Sequence, residues 1–261
     1  MTINRINAFL LDMDGTVYLG PNLIDGAVEF ISYLQQSEIP FLFLTNNPSA
    51  DSDYYQNKQK RMGINVEVSS ILTAGAATAR YLQKETLYRR LCVLGTPSFE
   101  QELLRVGMDL EHEDPEAVVI AFDKTLTYEK LERACLLVSA GLPYIATNPD
   151  RVCPTEYGYI PDCGAIAALI ESATGRLPKF IGKPEPAFAQ LALQVLGREA
   201  GETAMVGDRL YTDIAMAHEA DMPGILVLSG ESTKEDVEKA TRKPDLVYYS
   251  VKELQKALMA R

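Results

Sequence analysis

Four short polar segments of this chain carry side chains that could do chemistry, and each follows a run of apolar residues. They are Asp12-Met13-Asp14-Gly15-Thr16, Thr45-Asn46-Asn47, Gly182-Lys183-Pro184 and Gly207-Asp208-Arg209, the last with Asp213 five positions beyond Asp208. Carboxylates that converge on one crevice do not all stay ionised without a cation. A ligand set made only of oxygen atoms favours a hard ion, and Mg²⁺ suits a few carboxylates completed by water and a phosphate oxygen. The acids therefore predict a magnesium site.

A lysine and a threonine in the same segments extend this prediction from a metal to a phosphate. Lys183 would supply positive charge and Thr45 a hydroxyl donor to phosphoryl oxygens. A nucleophile, charge neutralisation and positioning are what phosphoryl transfer requires. Taken singly, each segment has an ordinary explanation, since a DxD turn can be solvated and Asp208 can cap the next helix. The occurrence of all of them in one chain favours the chemistry.

The elements that must bring these segments together are predicted strands of a parallel sheet. Apolar runs at 8–12, 41–44, 180–181 and 203–206 alternate with helical segments, which is typical of an α/β fold with both sheet faces covered. Ligands of such sheets bind beyond the carboxyl ends of the strands, where the polar segments lie. No other predicted strand in these parts of the chain ends in a comparable set. We therefore expect a doubly wound α/β fold with one crevice.

A second block of strands and helices begins near residue 84. It includes a long segment, Asn148 to Asp162, that contains Pro149, Pro154 and Pro161 and is predicted to be a loop. Loops of this length inside a compact domain are usually functional.

Composition and charge exclude several classes of protein. The net charge of −11 argues against non-specific binding to nucleic acid. The apolar runs are far shorter than the roughly 20 residues that a membrane helix needs, and the first residues do not resemble a signal peptide. The cysteines form no CxxC pair, which favours reduced thiols. We therefore expect a cytoplasmic protein with neither a nucleic acid nor a membrane as partner.

The polar segments resemble the signature motifs of the haloacid dehalogenase superfamily, specifically its NagD-like branch, subfamily IIA. The matching stretches are Asp12-Met13-Asp14-Gly15-Thr16-Val17, Thr45-Asn46-Asn47-Pro48, Gly182-Lys183-Pro184-Glu185-Pro186 and Gly207-Asp208-Arg209-Leu210-Tyr211-Thr212-Asp213, with Ala146-Thr147-Asn148-Pro149-Asp150 and Cys163-Gly164-Ala165 between them. The resemblance extends from about residue 8 to about residue 250. It implies a Rossmann-like core at 1–83 and 178–261, interrupted by an α/β cap of the C2 type at 84–177 that selects the substrate.

The resemblance also implies a role for each motif residue. Asp12 would attack phosphorus and form an aspartyl phosphate, and Asp14 would act as the general acid and then the general base. Mg²⁺ would bind the carboxylates of Asp12 and Asp208 and the backbone carbonyl of Asp14. Further roles fall to residues around the metal and the phosphate. Thr45, the backbone N–H of Asn46 and Lys183 would hold phosphoryl oxygens, and Asp213 and Asn47 would lie in a second layer around the metal.

Several alternatives stay open from the sequence. A phosphotransferase of the same superfamily would use the same residues, and a non-enzymatic phospho-acceptor would share the acids, the threonine and the lysine. A dinucleotide-binding protein is disfavoured because no GxGxxG follows the first strand. The expected partner is a small phosphomonoester such as a nucleotide or a sugar phosphate, with a homodimer as a further option. Arg151, Tyr157 and Tyr159 could grip an anionic or aromatic leaving group.

Overall fold

The computed structural model describes residues 3–110, 113–155 and 157–260 of the chain. Contacts divide the chain into two compact units. The first unit comprises Met1–Thr45, Tyr55–Leu72 and Lys183–Arg261, and the second comprises Asn46–Tyr54 and Thr73–Gly182.

Strands and helices alternate along the described residues. In chain order the strands are β1 (Ala8–Asp12), β2 (Tyr18–Leu19), β3 (Asn22–Leu23), β4 (Phe41–Thr45), β5 (Ile71–Thr73), β6 (Leu91–Leu94), β7 (Ala117–Ile120), β8 (Tyr144–Ala146), β9 (Val152–Thr155), β10 (Gly158–Pro161), β11 (Lys179–Phe180), β12 (Thr203–Gly207), β13 (Gly224–Val227) and β14 (Leu246–Tyr248). The α-helices are α1 (Ala27–Gln36), α2 (Ser52–Arg61), α3 (Ala74–Glu85), α4 (Pro97–Arg105), α5 (Tyr128–Ser139), α6 (Cys163–Thr174), α7 (Pro186–Leu196), α8 (Ala215–Glu219), α9 (Lys234–Lys239) and α10 (Val251–Met259). A π-helical turn, Leu210–Ile214, leads into α8.

A six-stranded sheet with the order β14-β13-β12-β1-β4-β5 forms the centre of the first unit. Strand β1 pairs in parallel with β12 on one side and with β4 on the other, so that Leu10 lies between Met205 and Leu42. Every residue of β1 and β12 is buried, as expected for a parallel sheet covered on both faces. Because these three strands are parallel neighbours, Asp12, Thr45 and Gly207 end them at the same edge of the sheet.

Amphipathic helices cover this sheet. Helix α1 buries Phe30, Ile31 and Leu34, which recur at helical spacing, and packs against α10. Helix α7 contacts β4. The α/β fold class with a parallel sheet is as predicted.

The second unit has its own four-stranded parallel sheet with the order β11-β8-β7-β6. Helices α5 and α6 pack against each other and against β7. Side chains such as Val118, Ile120, Val138 and Ile170 form a buried cluster between these elements. The unit therefore has a hydrophobic core of its own.

Two predictions about local structure are wrong. The strand before Lys183 was expected beside the strands that carry the acids, but β11 pairs with β8 in the sheet of the second unit. A strand of two residues has too few side chains to reveal which sheet it joins. The segment from Asn148 to Asp162, predicted as a loop, contains an antiparallel hairpin in which Ile160 lies opposite Cys153. Its prolines indicated a loop, yet an isolated two-stranded ribbon has no further neighbour that would need their missing N–H groups.

None of the helices in the described part of the chain is long and apolar enough to span a membrane.

Candidate active site

Three carboxylates of the first unit gather beyond the ends of β1 and β12. Asp12 is the last residue of β1, Asp208 follows β12, and Asp213 lies in the π-helical turn. Each offers an oxygen within 4.8 Å of the others, and all three side chains are buried. The structure thus brings together acids that are distant in the sequence, Asp12 and the pair Asp208 and Asp213.

Lys183 joins this cluster as its cation. Its Nζ donates hydrogen bonds to Asp12 Oδ1 and, at 2.7 Å, to Asp213 Oδ1. The lysine is only 2% exposed. Burial works to lower the pKa of Lys183, but the carboxylates of Asp12 and Asp213 outweigh it and raise the pKa. Lys183 therefore stays protonated inside the protein.

The carboxylates together carry more negative charge than the lysine can balance. Burial is the main reason why the pKa of Asp12 is raised; Lys183 opposes that effect, and Asp213 and Asp208 add to it. Burial, and then repulsion from Asp213, raise the pKa of Asp208 to about 7. Three ionised carboxylates would carry two more negative charges than the ammonium of Lys183 balances, and Arg209 offsets part of the charge on Asp208. A bound divalent cation would supply that charge and return the acids to their ionised forms.

One oxygen of Asp208 is available for such a cation. Asp208 Oδ2 accepts a hydrogen bond of 2.7 Å from the backbone N–H of Glu231. Asp208 Oδ1 is buried and has no hydrogen-bond partner among the described residues. A buried carboxylate oxygen without a partner is costly, and coordination to a metal would satisfy it. The residues present fit a hard divalent ion held by Asp12 and Asp208.

Asp213 is held differently from the other two acids. Its Oδ1 accepts the hydrogen bond from Lys183, and its Oδ2 accepts one of 3.1 Å from the backbone N–H of Arg209. Gly207 leaves room for this carboxylate, since a Cβ there would lie 2.3 Å from Asp213 Oδ2. With both oxygens engaged, Asp213 is placed to orient Lys183.

Asp14 lies apart from the three clustered side chains. Its carboxylate is exposed, and its backbone forms a bridge with Tyr18 across a tight turn. Gly15 makes this turn with a φ of 93°, which favours glycine. Lys58, which the sequence prediction did not name, lies next to this turn. Its Nζ is 3.6 Å from the centre of the Tyr18 ring. Burial lowers the pKa of Lys58, and the charge of Asp14 opposes this.

The Thr-Asn-Asn segment begins at Thr45, the last residue of β4. Asp12 lies opposite Leu44 in the register of β1 and β4, so Thr45 comes one residue further along the neighbouring strand and is buried. Asn46 and Asn47 belong to the second unit. There Asn46 Nδ2 donates to Asp150 Oδ2 at 3.1 Å, and Asn47 Oδ1 accepts from the N–H of Ser49 at 3.0 Å.

The proposed specificity residues lie on the hairpin of the second unit. Tyr157 and Tyr159 are 92% and 75% exposed, and Arg151 is exposed as well. Among the residues that flank the hairpin, Asn148 Nδ2 donates to Asp162 Oδ1 at 3.2 Å and to Asp150 Oδ2 at 3.4 Å.

Comparison with known proteins identifies the family. A family model for haloacid dehalogenase-like hydrolases matches residues 9–109, and a related HAD-like hydrolase model matches residues 180–254. Acid sugar phosphatase from Staphylococcus saprophyticus is 37% identical over 257 residues, which are 98% of this chain and 99% of the relative.

The chain belongs to the haloacid dehalogenase superfamily.

Solved structures of this superfamily agree in fold over nearly the whole chain. A 4-nitrophenylphosphatase from Thermotoga maritima has a TM-score of 0.94 and 42% identity, with 97% of each chain covered. NagD from Escherichia coli K-12 has a TM-score of 0.90 and 32% identity, with 97% of this chain and 98% of that one covered. The predicted resemblance to NagD-like phosphatases is confirmed. The protein is a phosphoric monoester hydrolase of the haloacid dehalogenase superfamily, and its substrate is a small phosphorylated molecule.

One segment of this haloacid dehalogenase-like hydrolase contacts Asp208 and was not predicted from the sequence. Residues 229–232 follow β13, the strand next to β12, and the N–H of Glu231 donates to Asp208. The sequence prediction named no residue of this segment. The rule that ligands lie beyond the carboxyl ends of parallel strands could have found this segment, because Ser229-Gly230-Glu231 begins two residues after the end of β13.

Proposed function

We propose that this phosphatase is magnesium-dependent, forms an aspartyl phosphate on Asp12 and acts on sugar phosphates or phosphomonoesters of similar size. The observation that carries the proposal is the buried contact of Lys183 with Asp12 and Asp213 beside Asp208. A carboxyl group is a nucleophile only when it is ionised, and the negative charge of the phosphoryl group must be neutralised for the attack. The similarity to acid sugar phosphatases supports the substrate class.

In the first half of the proposed reaction, an oxygen of Asp12 attacks phosphorus. The bond from phosphorus to the leaving oxygen breaks, and Asp14 donates a proton to that oxygen. Lys183, Thr45 and the N–H of Asn46 hold the other phosphoryl oxygens. A divalent ion bound by Asp12, Asp208 and the carbonyl of Asp14 would neutralise charge on the phosphoryl group.

In the second half, water attacks phosphorus and releases Asp12. Asp14, now ionised, takes a proton from that water, and the bond between phosphorus and Asp12 breaks. The products are inorganic phosphate and the enzyme in its starting form. The exposed position of Asp14 suits this exchange of protons with a leaving group and then with water.

We propose further that residues 84–177 form a cap that selects the leaving group. Exposed Arg151, Tyr157 and Tyr159 on the β9–β10 hairpin would contact it. The free state of all four cysteines suits the reducing cytoplasm, where we place the enzyme. A homodimer stays a prediction.

The experiment is to assay phosphate release from a panel of sugar phosphates, nucleotides and 4-nitrophenyl phosphate, with Mg²⁺ and with EDTA. Wild-type protein quenched in acid should carry a phosphoryl group that hydroxylamine removes, detected by intact mass spectrometry. Asp12→Asn should abolish both signals. Asp25→Asn, the same substitution at an exposed aspartate that pairs with Lys252 at 2.7 Å, should change neither.

Three results would count against the proposal. Phosphate release by Asp12→Asn near the wild-type rate would remove Asp12 as the nucleophile. Activity that survives EDTA would remove the metal. If added alcohols divert most of the phosphoryl group away from water, the phosphotransferase alternative replaces hydrolysis as the main reaction.

A further inference from the structure

Residues 229–232 wrap around Asp208, and we call them the Asp208 loop. The N–H of Glu231 donates to Asp208 Oδ2 at 2.7 Å, and the N–H of Ser232 donates to the Asp208 backbone carbonyl at 3.1 Å. Ser232 Oγ in turn accepts a hydrogen bond of 3.3 Å from the N–H of Leu210. The loop therefore contacts the side chain and the backbone of Asp208.

Glycine backbone lies against the Asp208 carboxylate on two sides. A Cβ at Gly230 would lie 2.0 Å from Asp208 Oδ2, and a Cβ at Gly15 would lie 2.3 Å from the same atom. Real Cβ atoms do not approach this closely, so neither position has room for a side chain. Ser229 Oγ donates to the Gly15 carbonyl at 2.7 Å, which ties the loop to the turn after Asp12.

The side chain of Glu231 connects the loop to Tyr211 and Arg209. Its Oε1 accepts a hydrogen bond of 2.8 Å from the hydroxyl of Tyr211. Its Oε2 lies 3.0 Å from Arg209 Nε. This second contact is an ion pair without the angle of a hydrogen bond, since Arg209 Nε has no hydrogen-bond partner among the described residues. Arg209 and Tyr211 both come shortly after Asp208 in the chain, so Glu231 clamps the loop to the segment that it serves.

The loop makes the two carboxylate oxygens of Asp208 unequal. Oδ2 is occupied by the N–H of Glu231, while Oδ1 is buried and has no hydrogen-bond partner among the described residues. A hydrogen bond to one oxygen of a carboxylate fixes the rotation of the group and so the direction of the other oxygen.

We propose that the Asp208 loop is a positioning element for the metal site, in which the backbone N–H of Glu231 aims Asp208 Oδ1 at the cation and the Glu231 side chain locks the loop onto Arg209 and Tyr211. This inference rests on the proposed metal binding by Asp208. Glu231 acts through Asp208 and touches neither substrate nor metal.

The experiment measures binding of Mg²⁺ alone, by calorimetry without substrate, to the wild-type protein and three variants. Glu231→Ala should weaken Mg²⁺ binding about tenfold, and Gly230→Ala, which displaces Asp208 directly, by about 100-fold. Glu231→Gln should bind nearly as well as the wild type, because an amide oxygen can still accept from Tyr211. In activity assays the loss in Glu231→Ala should appear as a higher Mg²⁺ requirement, with kcat recovered at saturating Mg²⁺.

Gly201→Ala is the matched control, because a Cβ there meets no atom within 4 Å. Its Mg²⁺ affinity should equal that of the wild type. Wild-type affinity in Glu231→Ala and Gly230→Ala, with thermal unfolding like that of Gly201→Ala, would overturn the role of the loop and leave the metal site standing. Failure of the wild type to bind Mg²⁺ would overturn the proposed metal function itself. A loss in Glu231→Gln as large as in Glu231→Ala would contradict the clamp to Tyr211.

Discussion

Glu102 should make the stability of this protein fall as the pH rises through neutrality. This glutamate lies on α4 in the second unit and is only 8% exposed. Its Oε2 is buried without a hydrogen-bond partner among the described residues, and a Cβ on Gly75 of α3 would lie 2.5 Å from it. Ionising a carboxyl group in such surroundings is costly because its buried oxygen has no donor to stabilise the charge.

The groups around Glu102 favour its neutral form. Burial is the largest effect and raises the pKa of Glu102 from 4.5 to about 8. The charges that face it are Asp51 and Asp53, which raise the pKa further, and Arg105, which lowers it. A hydrogen bond with Thr73 also lowers it. The carboxyl group therefore keeps its proton in the folded protein at neutral pH.

The sign and size of the effect follow from linkage. Below about pH 4.5 the group is protonated in both states, and above about pH 8 it is ionised in both, so the free energy of unfolding depends on this group only between those values. In that window the unfolded chain has released the proton and the folded protein has not. Stability is thus lost as the pH rises from about 4.5 to about 8. The pKa difference of about 3.5 corresponds to about 5 kcal/mol at 1.36 kcal/mol per unit.

Glu102→Gln removes the titrating group and keeps its shape. Chemical unfolding between about pH 5 and about pH 9 should show a steep fall in stability for the wild type and a much shallower one for Glu102→Gln. Glu132→Gln, the same change at an exposed position of α5, should keep the wild-type slope. NMR of ¹³C-labelled glutamate should give a titration midpoint for Glu102 near 8. A midpoint near the ordinary glutamate value, or equal slopes for wild type and Glu102→Gln, would refute the reasoning.

Three further results are expected. Lys183→Ala should lose a charge-assisted contact of about 2–3 kcal/mol, seen as a fall of roughly 100-fold in kcat/KM, and an unchanged kcat/KM would remove Lys183 from the site. Mg²⁺ at about 100 times its Kd should stabilise the wild type by about 2.7 kcal/mol, which raises the midpoint of thermal unfolding. EDTA or Asp208→Asn should abolish this rise, and a rise that persists in Asp208→Asn would place the metal elsewhere. Cys163 is fully buried, and burial raises the pKa of its thiol to about 12. Iodoacetamide near pH 8 should therefore label the half-buried Cys153 before Cys163, and peptide mapping that shows the reverse order would contradict this.

Two acids of the cluster, Asp12 and Asp208, were predictable because they lie at the ends of buried, mostly apolar strands. Strands β1 and β12 each contain five buried residues, a pattern that is visible in the sequence and typical of the middle of a parallel sheet. Once such strands are neighbours, Asp12 and Asp208 come to the same edge. The motif order then identified the superfamily before any coordinates.

Lys183 contacts the acids although the strand before it lies in a different sheet from the one predicted. Its predicted strand belongs to the sheet of the second unit, yet its ammonium still reaches Asp12. The sequence indicated the chemistry of this lysine because a single charge among acids is recognisable by type. It could not indicate the sheet, since pairing partners of a two-residue strand depend on neighbours distant in the chain.

By itself, then, the sequence determined the fold class, the superfamily and the residue types of the site, because hydrophobic periodicity and motif order are properties of the chain read along its length. Only the tertiary structure showed the hairpin around Cys153, the burial of Glu102 and the contact of Glu231 with Asp208. The last two depend on burial or on a backbone N–H supplied by a segment that is distant in the chain. Which acid becomes buried, and which backbone N–H faces it, depends on how distant segments pack, so the order of residue types along the chain does not indicate them.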